Sequence, residues 1–266
     1  MRLSRTRVGE PAPERGVLVI LHGLFGSGRN WSAIAKRLAR AGWAVVTPDL
    51  RNHGSSPWDG VMTYPVMADD LRVLLDEESP ERPAVVVGHS MGGKAAMRLA
   101  LETPERVRAL VAVDVAPVAY RHDLGDLAQA MRDLPLTGVR RRAEADARLA
   151  EVVSDAPVRA FLLQNLELPD DAPPRWRPNL DALLDGMGDI TGWPNPPPEA
   201  RYEGPTLMLL GGASDYVRPS HTKAIMALFP NARLEAVPEA GHWVHAEQPE
   251  PFLKALGGFL DSLPPA

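Results

Sequence analysis

A serine sits with glycines two positions away on each side: Gly88, His89, Ser90, Met91, Gly92. A serine hydroxyl is a poor nucleophile until a base removes its proton. The G-x-S-x-G pattern supplies the other requirement, exposure. In a tight strand-to-helix turn the serine backbone is strained, and Oγ stands above the C-terminal edge of a sheet. Side chains two positions away would collide in that turn, so glycine occupies both. Gly93, Ala95 and Ala96 continue the run of small residues and let the helix lie close to the sheet.

The chain holds 7 histidines that could serve as the base. His242, in AGHWVHAEQPE (240–250), follows the last predicted strand and so shares a sheet edge with Ser90. His245, three residues on, is the rival and is read as a hydrogen-bonding residue within that loop. His22 and His53 read as loop-fixing residues. His89 lies inside the elbow with its side chain directed away from Oγ. His122 and His221 have no supporting motif. A third residue must orient the imidazole and stabilise its charged form. Asp215, in GGASDYV (211–217), follows one predicted strand and Asp114, in VAVDVAP (111–117), ends another, both at the same edge. Asp215 is preferred slightly, leaving Asp114 to cap a loop near the site, and the choice stays open. Ser214 is placed to touch either acid or His242.

An oxyanion needs two backbone donors. The N–H of Met91, at a helix N-terminus, is one. The other falls in HGLFGSG (22–28), at the N–H of Leu24. That loop lacks the Lys-Ser/Thr of a phosphate-binding loop and does not match G-x-G-x-x-G, so phosphate binding is set aside. Lys94 is a cation one turn into a helix that should be buried, and it is expected to snorkel or meet a carboxylate.

These residues need a frame. GVLVILHG (16–23), AVVTPDL (44–50), AVVVG (84–88), RALVAVDV (108–115), PTLMLLGG (205–212) and ARLEAVPEAGH (232–242) read as strands. Their apolar runs are continuous rather than alternating, which predicts a parallel sheet covered on both faces. Helical patterns fill 30–42, capped by Asn30 and stopped by Gly42, then 63–77, 91–102, 219–229 and 250–263. From about 119 to 203 there are amphipathic helical patterns and no convincing strand. The expected organisation is an α/β core (1–118 and 204–266) carrying a helical cap (119–203), with PNPPPE as a stiff return path. Phe25 and the cap residues Phe161, Trp176, Met187 and Trp193 are candidate substrate contacts. At helical spacing, most of the cap residues read as cap core.

HG after the first core strand, DLRNHGSS, GHSMGG, GGASDYV and AGHWVHAEQP together resemble the α/β-hydrolase fold superfamily, and the order serine, acid, histidine agrees with it. GHSMGGKAAM, VAVDVAP, FLLQNLE and RWRPNLDAL are similar to one esterase subgroup. That subgroup contains small bacterial carboxylesterases and a mitochondrial abhydrolase-domain relative. The resemblance implies hydrolysis of acyl esters, usually short ones, without a cofactor. It also implies that the acid is often taken from the position of Asp114, although this chain carries Asp215 as well. The mitochondrial relative has a targeting segment, and none is read here.

Bulk composition agrees with a soluble globular enzyme: 266 residues, 45% hydrophobic and 24% charged. The net charge of −5 argues against nucleic-acid or anionic-membrane partners. No cysteine occurs, which removes disulfides, thiolate catalysis and cysteine-ligated zinc and fits a reducing cytoplasm. No metal site is expected. The leading expectation is a serine carboxylesterase acting on short- to medium-chain acyl esters, with a small-molecule ester as its partner. Thioesterase, C–C bond hydrolase and lactonase chemistry would use the same residues, as would a small-ligand receptor of the same fold.

Overall fold

Short runs of β-branched residues, each too apolar to face water on either side, assemble into one ladder. The computed structural model describes residues 1–121 and 124–266, so His122 lies outside the described residues. In chain order the strands are β1 (Arg5–Val8), β2 (Val17–Leu21), β3 (Ala44–Pro48), β4 (Ala84–His89), β5 (Val107–Val113), β6 (Leu166–Glu167), β7 (Arg175–Trp176), β8 (Thr206–Gly211) and β9 (Ala232–Val237). Seven of them form a sheet in the order β1-β3-β2-β4-β5-β8-β9. All neighbours in it are parallel except β1, which runs antiparallel to β3. Sequence reading missed β1. RTRV is charged, half-exposed and at the sheet edge, so it shows no hydrophobic signal.

The helices are α1 (Ser32–Arg40), α2 (Tyr64–Glu78), α3 (Met91–Glu102), α4 (Leu124–Asp133), α5 (Arg142–Leu149), α6 (Ala156–Leu163), α7 (Leu180–Asp185), α8 (Met187–Thr191), α9 (Thr222–Leu228), α10 (Val244–Glu247) and α11 (Pro249–Asp261). The pleat of β2 sends Leu18 and Ile20 toward a core with Trp31, Leu38 and Phe252 from the α1 and α11 side. It sends Val19 and Leu21 toward a second core with Leu71, Met97 and the apolar residues of α4–α7. Both faces are therefore covered, as a parallel sheet requires. Asn30 does not cap α1. A 3₁₀ turn over Gly28–Trp31 precedes that helix, and Asn30 Oδ1 instead accepts the Ser27 N–H at 2.7 Å. Gly42 does end it, at φ +88°.

Helices α4–α8 fall between β5 and β8, together with the short β6–β7 hairpin. That hairpin corrects the strand-free reading of 119–203; each of its strands is only two residues, too short for a periodic signal. Polar contacts seat this segment on the core loops. Asn165 Nδ2 donates to the Phe25 carbonyl at 2.7 Å, the Asn179 N–H to that of Asn52 at 3.0 Å, and Trp58 Nε1 to that of Arg177 at 3.0 Å. Among the described residues no helix is long and apolar enough to cross a membrane.

Candidate active site

The turn after β4 puts Ser90 at φ 52°, ψ −119°, a left-handed backbone that a side-chain-bearing residue adopts only under constraint. Glycine is needed on both sides of it. A Cβ on Gly88 would run into the Gly92 carbonyl, and one on Gly92 would meet the His22 carbonyl and Leu21. The Ser90 N–H is held by the Val113 carbonyl at 3.1 Å. Helix α3 begins at the next residue, so its N-terminus points at the space above Ser90.

The loop after β9 brings His242 to this edge. Its Nδ1 lies 2.8 Å from Asp114 Oδ2. Asp114 is 1% exposed and has its own left-handed backbone, at φ 49°. Its carboxylate is fully engaged: the Gly211 N–H donates to Oδ1 at 3.0 Å, and the Ser214 hydroxyl donates to Oδ2 at 2.5 Å. Asp215 stands elsewhere. Its carboxylate is 74% exposed and pairs with Arg218 at 2.8 Å. The preference for Asp215 is thus corrected in geometry: the loop after β8 turns Ser214 inward and Asp215 outward. Ser214 makes the acid contact anticipated for it.

Leu24 and Met91 both border Ser90, and among the described residues neither backbone N–H has an acceptor. The Leu24 loop is braced by histidines. His22 Nδ1–H donates to the Gly23 carbonyl at 2.8 Å while its Nε2 accepts the Leu50 N–H at 2.9 Å. His53 Nδ1–H donates to the Arg51 carbonyl at 2.9 Å while its Nε2 accepts the Phe25 N–H at 3.2 Å. Carbonyls only accept and backbone N–H groups only donate, so both rings are neutral with the proton on Nδ1. Burial agrees, lowering His22 to about 4 and His53 to about 3. Arg51, in the same loop, makes a buried two-pronged ion pair with Asp70 of α2, at 2.6 and 2.9 Å. Sequence reading missed this pair, because neither residue lies in a catalytic motif.

His89 Nε2–H donates to the His242 carbonyl at 2.8 Å, tying the elbow to the histidine loop. His245 is not a hydrogen-bonding residue of its loop as expected. It stacks on Trp31 with centroids 3.8 Å apart, and its buried Nδ1 has no hydrogen-bond partner among the described residues. Burial, then the neighbouring His242, pushes it down to about 3. His221 accepts the Arg218 N–H at 3.3 Å. Lys94 does not snorkel, and among the described residues it meets no carboxylate. It is 2% exposed, with Nζ on the carbonyls of Thr191 and Gly192 at 3.0 and 2.6 Å and 4.7 Å above the Tyr120 ring. Burial lowers its ammonium to about 7.

Ser90 and His242 open into one apolar cavity of about 740 Å³. Phe25 and Phe161 line it as expected; Trp176, Met187 and Trp193 do not. Trp176 is buried within the segment's own core, and Met187 and Trp193 pack against the same cluster. Residues not anticipated take their place, including Leu124, Leu127, Val158, Tyr216 and Trp243. A smaller space of about 20 Å³ lies on the other side of Ser90, between Leu24, Tyr120 and Lys94. Among the described residues no group of histidine, aspartate and glutamate could hold a metal ion.

A strained serine after a parallel strand, with a histidine–aspartate pair across the sheet edge, defines a hydrolase architecture. The family model for the alpha/beta hydrolase fold matches residues 16–249, and the chain belongs to that family. It is a relative of bacterial esterases. It is 36% identical over 265 residues to esterase YbfF of Escherichia coli, covering 98% of this chain and 100% of that protein. It is 44% identical over 250 residues to the sn-1-specific diacylglycerol lipase ABHD11 of Mus musculus, covering 91% of this chain and 80% of that one. Among solved structures, a marine microorganism esterase superposes with a TM-score of 0.91 at 32% identity, covering 97% of this chain and 99% of that one.

Proposed function

We propose that this protein is a serine carboxylesterase in which Ser90 is the nucleophile, His242 the general base and Asp114 the orienting acid. The observation that carries the reading is the His242–Asp114 contact beside a strained, pocket-facing Ser90. Kinship with proteins named esterase and diacylglycerol lipase supports an ester as the substrate.

His242 Nε2 takes the Ser90 proton as Oγ attacks the ester carbonyl. The carbonyl oxygen becomes an oxyanion, and the N–H groups of Leu24 and Met91 stabilise it. Asp114 accepts the Nδ1–H and offsets the imidazolium charge. Its own charge is held by Gly211 and Ser214, so it need not move a proton. His242 then protonates the departing alcohol. Water, activated by the same imidazole, releases the acid from Ser90 and restores the hydroxyl. No metal or cofactor enters any of these steps.

The cavity lies within the usual range for small-molecule sites and is walled mainly by aliphatic and aromatic side chains, which fits a neutral short- to medium-chain acyl group. In this reading α4–α8 form a cap over the core. Hydrolysis of p-nitrophenyl esters from acetate to decanoate, with wild type and Ser90→Ala in parallel, tests it. Multiple turnovers that vanish in the variant are expected. Turnover that survives in Ser90→Ala, or a single burst that stops, overturns the reading.

A further inference from the structure

The Tyr216 ring lies face to face with the His242 imidazole, centroids 3.6 Å apart and planes 15° from parallel. Its position is set from the acid side. The Tyr216 N–H donates to Ser214 Oγ at 3.2 Å, and that hydroxyl in turn donates to Asp114 Oδ2. Two residues two positions apart, Ser214 and Tyr216, thus hold the carboxylate and cover the imidazole. The Tyr216 ring also meets Tyr120, with centroids 5.4 Å apart, and the Tyr120 hydroxyl accepts the Ala116 N–H at 2.7 Å. The covering ring is therefore backed by a second ring anchored just after β5.

His242 needs such support. It sits in an irregular loop, where Asp114 holds Nδ1 and the His89 ring meets the imidazole at a tilt, centroids 4.6 Å apart and planes 45° apart. The hydrogen bond sets where Nδ1 lies and the tilted ring gives only an angled contact, so the imidazole can still swing about Nδ1, because the last torsion of histidine is soft. A flat ring against one face removes the swing. It also presents π electrons to the positive charge the imidazole gains while it holds the serine proton.

We propose that Tyr216 is a positioning residue for His242, fixing the imidazole plane so that Nε2 faces Ser90 Oγ and then the leaving alcohol. The proposal rests on the esterase reading above. It makes the ring, not the phenol oxygen, the working part.

The test compares Tyr216→Leu and Tyr216→Phe with wild type on two esters of one acyl group, a p-nitrophenyl ester and an ethyl ester. kcat/KM is read, since it reports acylation. An alkoxide leaves poorly without a proton from His242, whereas p-nitrophenolate leaves unaided. Tyr216→Leu is expected to lose about 10- to 100-fold on the ethyl ester and several-fold less on the aryl ester, the scale of a slightly misplaced catalytic group. Tyr216→Phe is expected to recover most of both. Equal losses on the two esters mark a packing effect and overturn the proposal, as does wild-type activity in Tyr216→Leu. Should Tyr216→Leu not fold, Tyr216→Met takes its place with the same expectations. Ser90→Ala is run alongside. If it retains turnover, the esterase reading itself fails; if it is inactive while Tyr216→Leu matches wild type, only the role of Tyr216 fails.

Discussion

Asp114 and His242 are 128 residues apart in sequence, and their side chains meet at 2.8 Å. Adjacent parallel strands explain the encounter. β5 ends one residue before Asp114, β8 lies beside it, and β9 beyond that leads into the histidine loop. The Gly211 and Ser214 contacts come from the end of β8, so the acid is held by the neighbouring strand as much as by its own.

That placement separates the two carboxylates in a direct experiment. Asp114→Asn is expected to lower kcat by about 10³- to 10⁴-fold, because the amide can stabilise neither the required tautomer nor the imidazolium. Asp215→Asn, on an exposed ion pair, is expected to change kcat less than about threefold. Steady-state kinetics on folded variants checks both, and comparable losses would contradict a single orienting acid.

Acid should weaken the fold well before carboxylates titrate. His22, His53, His89 and His245 are all held below the ordinary histidine value by burial, with neighbouring histidines adding to it at the last three. Above pH 6.5 both folded and unfolded chains carry them neutral. Below it the unfolded chain takes up protons that the folded one refuses. Stability then falls by about 1.4 kcal/mol per pH unit for each ring, levelling off where the folded rings titrate. Those points are near pH 4 for His22 and pH 3 for His53 and His245. Urea unfolding at pH 7, 6 and 5 measures the slope, and a flat profile would refute it.

Lys94 gives the same logic on the alkaline side. Its folded value near 7 against the ordinary 10.5 means that the folded protein sheds this proton first. Between those limits wild type should gain stability over Lys94→Met by about 1.4 kcal/mol for each pH unit of increase. Paired thermal melts at pH 7, 8 and 9 read the difference; one that stays constant would show that the ammonium is not displaced.

Asp70→Ala removes the two-pronged partner of the buried Arg51 guanidinium and leaves it the Val61 carbonyl at 2.8 Å and the Asp59 carboxylate at 3.5 Å. A cost of about 3–5 kcal/mol is expected, together with reduced activity, because Arg51 lies in the loop that supports Phe25 through His53. Chemical denaturation and kcat are the readouts. Full activity with lowered stability would show that the loop holds its shape without the pair.

Legibility followed the range of the forces involved. The elbow was readable because its constraint is local: two glycines and a serine within five residues must clear one another's backbones. His242 was readable because it follows the last strand. The choice between Asp114 and Asp215 was not. Both end strands at one edge, and what separates them is the direction of a turn, visible only in the φ of Asp114 and the inward hydroxyl of Ser214. The pocket wall was half-readable. Periodicity marks Trp176 and Leu162 alike as apolar faces of α4–α8 and its hairpin, yet only Leu162 borders the cavity. The place of Tyr216 is not legible in the sequence, because stacking on a distant histidine leaves no trace in local spacing.

The two buried histidines of the Leu24 loop form a cross-brace. His22 leaves the end of β2 and supports Leu50 beyond β3; His53, beyond β3, supports Phe25 beyond β2. Each strut is directional, pushing a proton at one end and receiving one at the other, so neither loop can shift without breaking a bond in its counterpart. The shape of the Leu24 loop is therefore governed from the neighbouring strand β3 and, through Arg51 and Asp70, from helix α2. Under the proposed mechanism, changes on that outer helix, far from any reacting atom, should register as changes in how well the oxyanion is received.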